Sequence, residues 1–321
     1  MWPNFILTVG NYPMAASPEQ PFPIRYPENL TLFGAALAER LTTSEIPVVT
    51  PYDLFLKVRT LRQSEQRLYV NPNSSLRGVY DRARRNLLDC KVISSDRDYR
   101  FKAFRINNNG DGPAEEICCL VDRFCYISHL SAMQRYGLTD RRPLALHLST
   151  PRGQTLKGLI RREMLATYGS SSELLPDEAM PLLGVHHPNT VRGQRISVHH
   201  TLHPCDAVKL VGSHARIATI GQTFLETLEK PELCGGMPHV IGVWSEHAEL
   251  YLEDIIDAVD AAESIIAKMR AGYILQDVAD VRNDRVSGWK QYAQRGGSRV
   301  LDPAKPFAPT YSEDWMISIN V

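Results

Sequence analysis

Hydrophobic positions near residues 30 and 50 recur at helical spacing, with a short apolar run between them. Residues 30–41 are rich in Ala and Leu and predict a short helix. Residues 46–49 (Ile-Pro-Val-Val) predict a brief strand. A second helix is expected to begin after Thr50, because Thr is a favoured N-cap, Pro51 suits the first helical position and Asp53 follows three residues after the cap.

The third predicted helix has the clearest pattern. Ser74 is its expected N-cap. Apolar side chains then recur at helical spacing, and the stripe consists of Leu76, Val79, Tyr80, Ala83 and Leu87. At about 100° per residue, Arg77 and Arg84 lie on one flank of this stripe. Arg85 lies at the back of the helix and Arg82 on the other flank, so the polar surface is mostly arginine.

Two short strand-like runs follow this basic helix. Residues 90–94 and 99–106 flank a polar turn, and the second run mixes aromatic with basic residues. Two helices followed by a third, basic helix and then a basic hairpin are typical of a winged helix-turn-helix. We expect this fold at residues 30–110. The major groove of B-DNA admits one α-helix, and the arginine fork binds phosphates and guanine edges. A basic surface helix with a purely structural hairpin is the alternative.

Charge is distributed unevenly along the chain, although the total is balanced. Lys plus Arg and Asp plus Glu both number 36, which excludes a uniformly basic protein. Residues 51–105 contain 13 basic and 6 acidic residues, whereas residues 217–280 contain 3 basic and 12 acidic residues. Clustered cations favour polyanion binding by the first segment. The candidate DNA-binding residues are Arg77, Arg82, Arg84, Arg85 and Lys91 for the recognition helix, and Arg97, Arg100 and Lys102 for the wing.

The length of 321 residues suits about two domains. Residues 1–29 contain six prolines and predict an extended arm. The run from Asn107 to Pro113 is rich in Asn and Gly and predicts a linker. Residues 113–321 are expected to form a larger mixed domain, with short strands between residues 143 and 215 and helices from Arg216 onward. The predicted fold class is therefore α+β, with an N-terminal winged helix-turn-helix and a mixed α/β C-terminal domain.

The sequence offers few patterns that indicate catalysis. The segment His-His-Thr-Leu-His-Pro-Cys at residues 199–205 has ligand-like spacing, but its alternation with apolar residues favours a strand with exposed imidazoles over a metal site. Phosphate-binding loops, GxSxG and kinase motifs are absent from the sequence. We therefore expect no enzyme activity, no metal and no cofactor.

The sequence also favours a cytoplasmic protein. The six cysteines form no CxxC pair. No apolar run has the length and flanking residues of a membrane helix or a signal peptide.

Four segments resemble the AbiEi-type antitoxins of bacterial type IV toxin–antitoxin systems. The first is YISHLSAMQRYGL at residues 126–138, which is similar to the family motif that follows the winged helix. The others are RIATIGQTFLETL at residues 216–228 with the following PEL and GG, RAGYIL at residues 270–275, and the closing segment from Leu301-Asp302-Pro303 through Trp315 to Asn320. Their order agrees with the family over about residues 30–320. The proline-rich arm departs from the family pattern.

The resemblance implies a DNA-binding transcriptional autorepressor that acts as an antitoxin in phage defence or abortive infection. Its functional partner is expected to be a nucleotidyltransferase-like AbiEii toxin. The resemblance implies that the antitoxin opposes this toxin without forming a stable complex with it. The alternative is a C-terminal domain that counteracts the toxin enzymatically or by binding RNA. A candidate antitoxicity surface for this alternative is a second basic set: Arg141, Arg142, Arg152, Lys157, Arg161 and Arg162. Acidic C-terminal helices that bind a protein partner are the third interpretation.

Overall fold

The computed structural model describes residues 29–321, except 65–67, 69, 170–177, 206 and 294–298. The predicted proline-rich arm therefore lies outside the described residues, apart from Asn29. Helices and short strands follow one another irregularly in an α+β arrangement, as the sequence predicts. None of the helices in the described ranges combines the length and the apolar character needed to cross a bilayer.

The N-terminal part consists of three helices and three strands. In chain order they are α1 (Leu32–Thr43), β1 (Val48–Val49), α2 (Pro51–Gln63), α3 (Leu76–Asp89), β2 (Ile93–Asp96) and β3 (Arg100–Ile106). Thr50 caps α2 as predicted, because its hydroxyl accepts a hydrogen bond from the Asp53 amide. The expected cap of α3 was wrong by one residue. Ser75 caps this helix by accepting from the Gly78 amide, whereas Ser74 bonds the Arg82 side chain.

Strand β3 lies in the middle of a three-stranded antiparallel sheet with the order β1-β3-β2. Val48 of β1 pairs with Arg105, and Ile93 of β2 pairs with Ile106. The apolar faces of all three helices pack with this sheet around fully buried side chains, which include Leu41, Leu54, Phe55, Leu87 and Phe104. This core fixes the position of α3 relative to the β2–β3 hairpin.

A six-stranded mixed sheet forms the middle of the chain. Its elements are α4 (Ala114–Val121), β4 (Tyr126–Ile127), α5 (His129–Arg135), β5 (Leu146–Pro151), α6 (Gly153–Tyr168), β6 (Thr190–Val191), β7 (Gln194–Thr201), β8 (Val208–Lys209) and β9 (Arg216–Ile217). The strand order is β6-β7-β5-β4-β9-β8, in which β5 and β7 are parallel, as are β4 and β9. Helix α4 and the sheet enclose a second core.

The C-terminal part is mainly helical. It contains α7 (Ile220–Glu229), a 3-10 turn (Pro231–Cys234), α8 (Met237–His247), α9 (Leu252–Ala261), α10 (Ile265–Tyr273), a π turn (Ile274–Val278), α11 (Asp284–Gly288), a second 3-10 turn (Trp289–Tyr292) and the hairpin β10 (Tyr311–Ser312) and β11 (Ile317–Ser318). Gly235 and Gly236 lie between the first 3-10 turn and α8, where both have positive φ. Trp244 and Trp315 are fully buried in this third core.

The predicted linker at residues 107–113 lies between β3 and α4, and it is held against the N-terminal part. The side-chain amide of Asn109 donates to the carbonyl of Ile46 at 2.7 Å. Side chains from beyond the linker also complete the first core, since Tyr168 and Met180 pack into it. The N-terminal part is thus in contact with the sequence that follows it.

Candidate nucleic-acid interface

Helix α3 buries its apolar stripe, and its arginines lie at or near the surface, as the helical spacing predicts. Leu76, Val79, Tyr80, Ala83 and Leu87 are the buried residues of this helix. Arg82 and Arg85 are exposed, whereas Arg77 and Arg84 on the shared flank are half-buried. The back of the helix and the flank with Arg82 therefore form the basic surface that is most open to a large polyanion.

Asp81 neutralises part of the positive charge on the half-buried flank. Its carboxylate lies 3.7 Å from Arg77 Nε and 3.7 Å from Arg84 Nη2. Both guanidinium groups also lie over the ring of Tyr80, at 5.7 and 5.8 Å from its centroid. Burial raises the pKa of the Tyr80 phenol, and the two nearby cations oppose this shift. Arg84 Nε is buried and has no hydrogen-bond partner among the described residues.

The two exposed arginines make weaker contacts with the protein. Arg82 donates to the Ser74 hydroxyl at 2.8 Å, and Arg85 Nε donates to the Asp81 backbone carbonyl at 3.2 Å. Neither side chain is within ion-pair distance of a carboxylate among the described residues. Both guanidinium groups are therefore accessible to an anion from solvent.

The predicted wing residues lie on the β2–β3 hairpin. Lys91, which was predicted for the recognition helix, lies beyond the end of that helix instead, because α3 ends at Asp89. It is exposed with a φ of 53°, at the turn between α3 and β2. Arg97 is in the hairpin turn and donates to Asp111 at 2.7 Å. Arg100 and Lys102 are exposed on β3, on either side of Phe101, which is 68% exposed. The hairpin end is thus basic with one exposed aromatic ring.

Arg192 fixes the hairpin turn to the central sheet. Its side chain is buried and binds Asp96 at 2.6 Å, and it also forms an ion pair with Asp98 of the same turn. Burial alone would raise the pKa of Asp96, but the hydrogen bonds from Arg192 hold it below its ordinary value. The wing therefore has a defined position relative to the rest of the molecule.

A cleft lies between α3, the hairpin and residues 180–185. It has a volume of about 420 Å³. Its walls include Arg77, Tyr80, Arg84, Phe101, Lys102 and Met180. Glu178, just before this segment, accepts a hydrogen bond from the Leu76 amide at 3.1 Å, at the N-terminus of α3. The flank of α3 that lines the cleft therefore faces other parts of the protein. One amide at the N-terminus of α3 already donates its hydrogen bond to a carboxylate.

The second basic set predicted from the sequence divides between two places. Arg152, Lys157, Arg161 and Arg162 are exposed residues at the start of α6 or within it. Arg141 and Arg142 precede β5, at the opposite end of that strand from Arg152. Arg141 donates to the Gly235 carbonyl at 3.0 Å. The structure thus brings four of the six residues together.

The segment at residues 199–205 forms the end of strand β7 and the turn after it. The strand is confirmed, and His200 and His203 are exposed as expected. The expectation was wrong for His199, which is half-buried because its ring stacks on His147 of the neighbouring strand β5, with 5.1 Å between the ring centroids. His199 and His203 are therefore not presented together.

A cluster of one buried and two half-buried histidines was not predicted from the sequence. His147 Nδ1 and His199 Nε2 are 2.8 Å apart, and the His129 ring lies 4.7 Å from the His199 ring. Burial lowers the pKa of His199 to about 4 and that of His129 to about 2. The His129 backbone amide donates to Glu226, and burial raises the pKa of this carboxyl to about 8. These four residues come from α5, β5, β7 and α7. Because they are far apart in the sequence, no local spacing of residues predicts the cluster.

A second buried polar group was also missed. One ligand atom each from Asp122, Cys125 and His187 lies within 4.8 Å of the other two. Asp122 and Cys125 follow α4, whereas His187 precedes β6, more than 60 residues later in the chain. This is the group among the described residues whose geometry suits a metal ion.

No protein-family model matches the chain, and no curated protein matches it significantly. Among solved structures, it is similar to the crystal structure of the Rv2827c protein from Mycobacterium tuberculosis. The similarity covers 91% of this chain and 92% of that chain, with 12% sequence identity and a TM-score of 0.44.

Proposed function

We propose that this protein binds double-stranded DNA through a winged helix-turn-helix at residues 30–110. The order α1-β1-α2-α3-β2-β3, with its three-stranded antiparallel sheet, supports this proposal, since it sets the basic helix α3 beside the basic hairpin. In this proposal α3 enters the major groove and the hairpin contacts the neighbouring backbone.

The exposed arginines are the first candidates for DNA contact. Arg85 at the back of α3 and Arg82 on its flank are exposed, and no carboxylate of the described residues pairs with either of them. Arg77 and Arg84 share Asp81 and line the cleft, so their contribution depends on breaking that contact. Glu178 at the N-terminus of α3 also has to be displaced before a phosphate can bind the Leu76 amide.

The physiological role that we propose is autorepression by the antitoxin of a type IV pair. This part of the proposal is supported by the sequence resemblance to AbiEi-type antitoxins at residues 126–138 and the later segments. The partner is then an AbiEii-like nucleotidyltransferase toxin that does not co-purify with the protein, and the site of action is the cytoplasm. Neutralisation of the toxin is assigned to residues 113–321.

The proposal is tested by a gel shift with the DNA upstream of the protein's own gene. Arg85→Ala should weaken binding by roughly 1–3 kcal/mol if the side chain contacts a base. If it contacts a phosphate instead, binding should weaken on all sequences and the salt slope should fall by about 1. Titrations at two salt concentrations with scrambled competitor DNA distinguish these results.

Arg282→Ala is the matched control, because Arg282 is also exposed but lies in the C-terminal part before α11. It should leave DNA binding unchanged. Equal binding of upstream and scrambled DNA by the unmodified protein would contradict sequence-specific recognition. Equal losses in the two variants would contradict the assignment of α3 as the recognition helix.

RNA binding by α6 is a second candidate function. Tyr168 is its one buried residue, and Lys157, Arg161 and Arg162 project to solvent from a helix of 16 residues. Replacing these three residues with Ala in the full chain should reduce RNA retention and toxin neutralisation without changing the DNA gel shift. If Arg85→Ala abolishes toxin neutralisation and the variant that lacks Lys157, Arg161 and Arg162 keeps it, this candidate is contradicted.

A further inference from the structure

Asp122 is a buried carboxylate that no Lys or Arg side chain of the described residues pairs with. Its side chain is 5% exposed. It accepts hydrogen bonds from the Phe124 amide at 2.9 Å and from the Thr150 hydroxyl at 3.0 Å. No Lys or Arg side chain of the described residues lies within ion-pair distance of it. Buried charges in proteins are normally paired or bind a metal, so a cation is the partner that this carboxylate lacks among its Lys and Arg neighbours.

Two further ligand groups lie beside this carboxylate. His187 Nε2 is 3.3 Å from Asp122 Oδ2, and the His187 side chain is only 1% exposed. The Cys125 thiol is fully buried, and its sulfur lies within 4.8 Å of both atoms. Ligands of a tetrahedral zinc ion with bonds of about 2.0–2.3 Å are separated by roughly 3.3–3.8 Å. The three groups are therefore close to the spacing that one ion requires.

The surroundings hold these groups in place. His187 Nδ1 lies 2.7 Å from the Tyr99 hydroxyl, which leaves Nε2 facing the carboxylate. A partner on the second ring nitrogen is typical of histidines that bind metals. The chain between Cys119 and Cys125 is fixed by the guanidinium of Arg216, which donates to the carbonyls of Cys119, Asp122 and Cys125.

We propose that Asp122, Cys125 and His187 bind one zinc ion. On binding, the Cys125 thiol releases its proton to water, and His187 binds as a neutral imidazole. One thiolate and one carboxylate then balance the charge of the divalent cation inside the protein. A water molecule is the fourth ligand, as in sites with three protein ligands. The site joins the end of α4 to the segment before β6.

The test measures zinc in the full-length protein purified from zinc-supplemented cultures. The unmodified protein should contain about one zinc ion per chain after dialysis. Cys125→Ala and His187→Gln should each lose most of this zinc. Cys234→Ala is the matched control, since Cys234 is a buried cysteine of the C-terminal core, and it should keep the full content.

A second measurement uses only the unmodified chain, in case the variants fail to fold. Protein refolded with Co²⁺ should show the intense near-ultraviolet absorption of a thiolate bound to cobalt, together with the visible bands of tetrahedral Co²⁺. Zinc that is retained equally by all three variants would overturn the proposal. Unmodified protein that contains less than about 0.1 zinc per chain and binds no Co²⁺ on refolding would do so too.

Discussion

Asp81 is an acidic residue within the basic surface of α3, and it reduces the positive charge that this surface presents. It lies 3.7 Å from both Arg77 and Arg84. Asp81→Asn removes a charge that repels phosphates and releases both arginines. We expect DNA binding to strengthen by roughly two- to fivefold, equivalent to about 0.5–1 kcal/mol for one surface charge. Fluorescence anisotropy with labelled upstream DNA measures this change.

Asp140→Asn provides the control for the change in net charge. Asp140 is exposed in the loop after α5, away from α3 and the hairpin. It should alter DNA affinity by much less than Asp81→Asn. If both variants bind equally well, the gain comes from overall charge and the local role of Asp81 is wrong. A weaker complex with Asp81→Asn would mean that the carboxylate positions the arginines for binding.

At the scale of elements, local sequence was enough to predict the first three helices, but it could not predict what covers them. Thr50 and the stripe of α3 act within one or two helical turns, so their patterns are visible in the sequence. Glu178 contacts α3 from about 100 residues away. Residues 180–185 form one wall of the cleft, and no local pattern in the sequence predicts their position there.

The same limit applies to the buried polar groups. His129, His147 and His199 meet because parallel strands β5 and β7 lie side by side next to α5. The pairing of His187 with Asp122 depends on the path of the chain between α6 and β6. The spacing of residues in the sequence predicts which side chains share a face of one helix or strand. These polar groups, in contrast, form between separate elements, so spacing does not predict them.

Close packing between two elements gives a prediction for the C-terminal part. Gly272 of α10 lies against Trp315, and an added Cβ would be 2.1 Å from the indole ring. Because Trp315 is fully buried, the ring has no room to move. Gly272→Ala should therefore lower the free energy of unfolding by roughly 1–3 kcal/mol. Urea unfolding followed by tryptophan fluorescence measures this loss.

Gly242 of α8 is the matched control for this substitution. It is also in a helix, but an added Cβ there would contact nothing within 4 Å. Gly242→Ala should raise the free energy of unfolding by about 0.5–1 kcal/mol, because Ala is the better helix former. Equal effects at the two positions would show that the contact between α10 and Trp315 is unimportant.

At the scale of the whole molecule, the histidine cluster links stability to pH. Burial lowers the pKa values of His129, His147 and His199, so the folded protein keeps these rings neutral. In the unfolded chain they take up protons below about pH 6.5, which stabilises the unfolded state as the pH falls. Glu226 acts in the opposite direction, because its raised pKa makes its contribution decrease as the pH rises toward 8.

Three imidazoles outweigh one carboxyl on the acidic side, so stability should be greatest near pH 7 and fall clearly by about pH 5. The midpoint of urea unfolding, measured at several pH values, tests this profile. His199→Asn removes one of the titrating rings and should make the decrease between pH 7 and pH 5 smaller, even if the variant is less stable throughout. His203→Asn removes a ring that is 71% exposed and should leave the slope unchanged. Parallel profiles for the unmodified protein and the His199 variant would assign the acid sensitivity to groups outside the cluster.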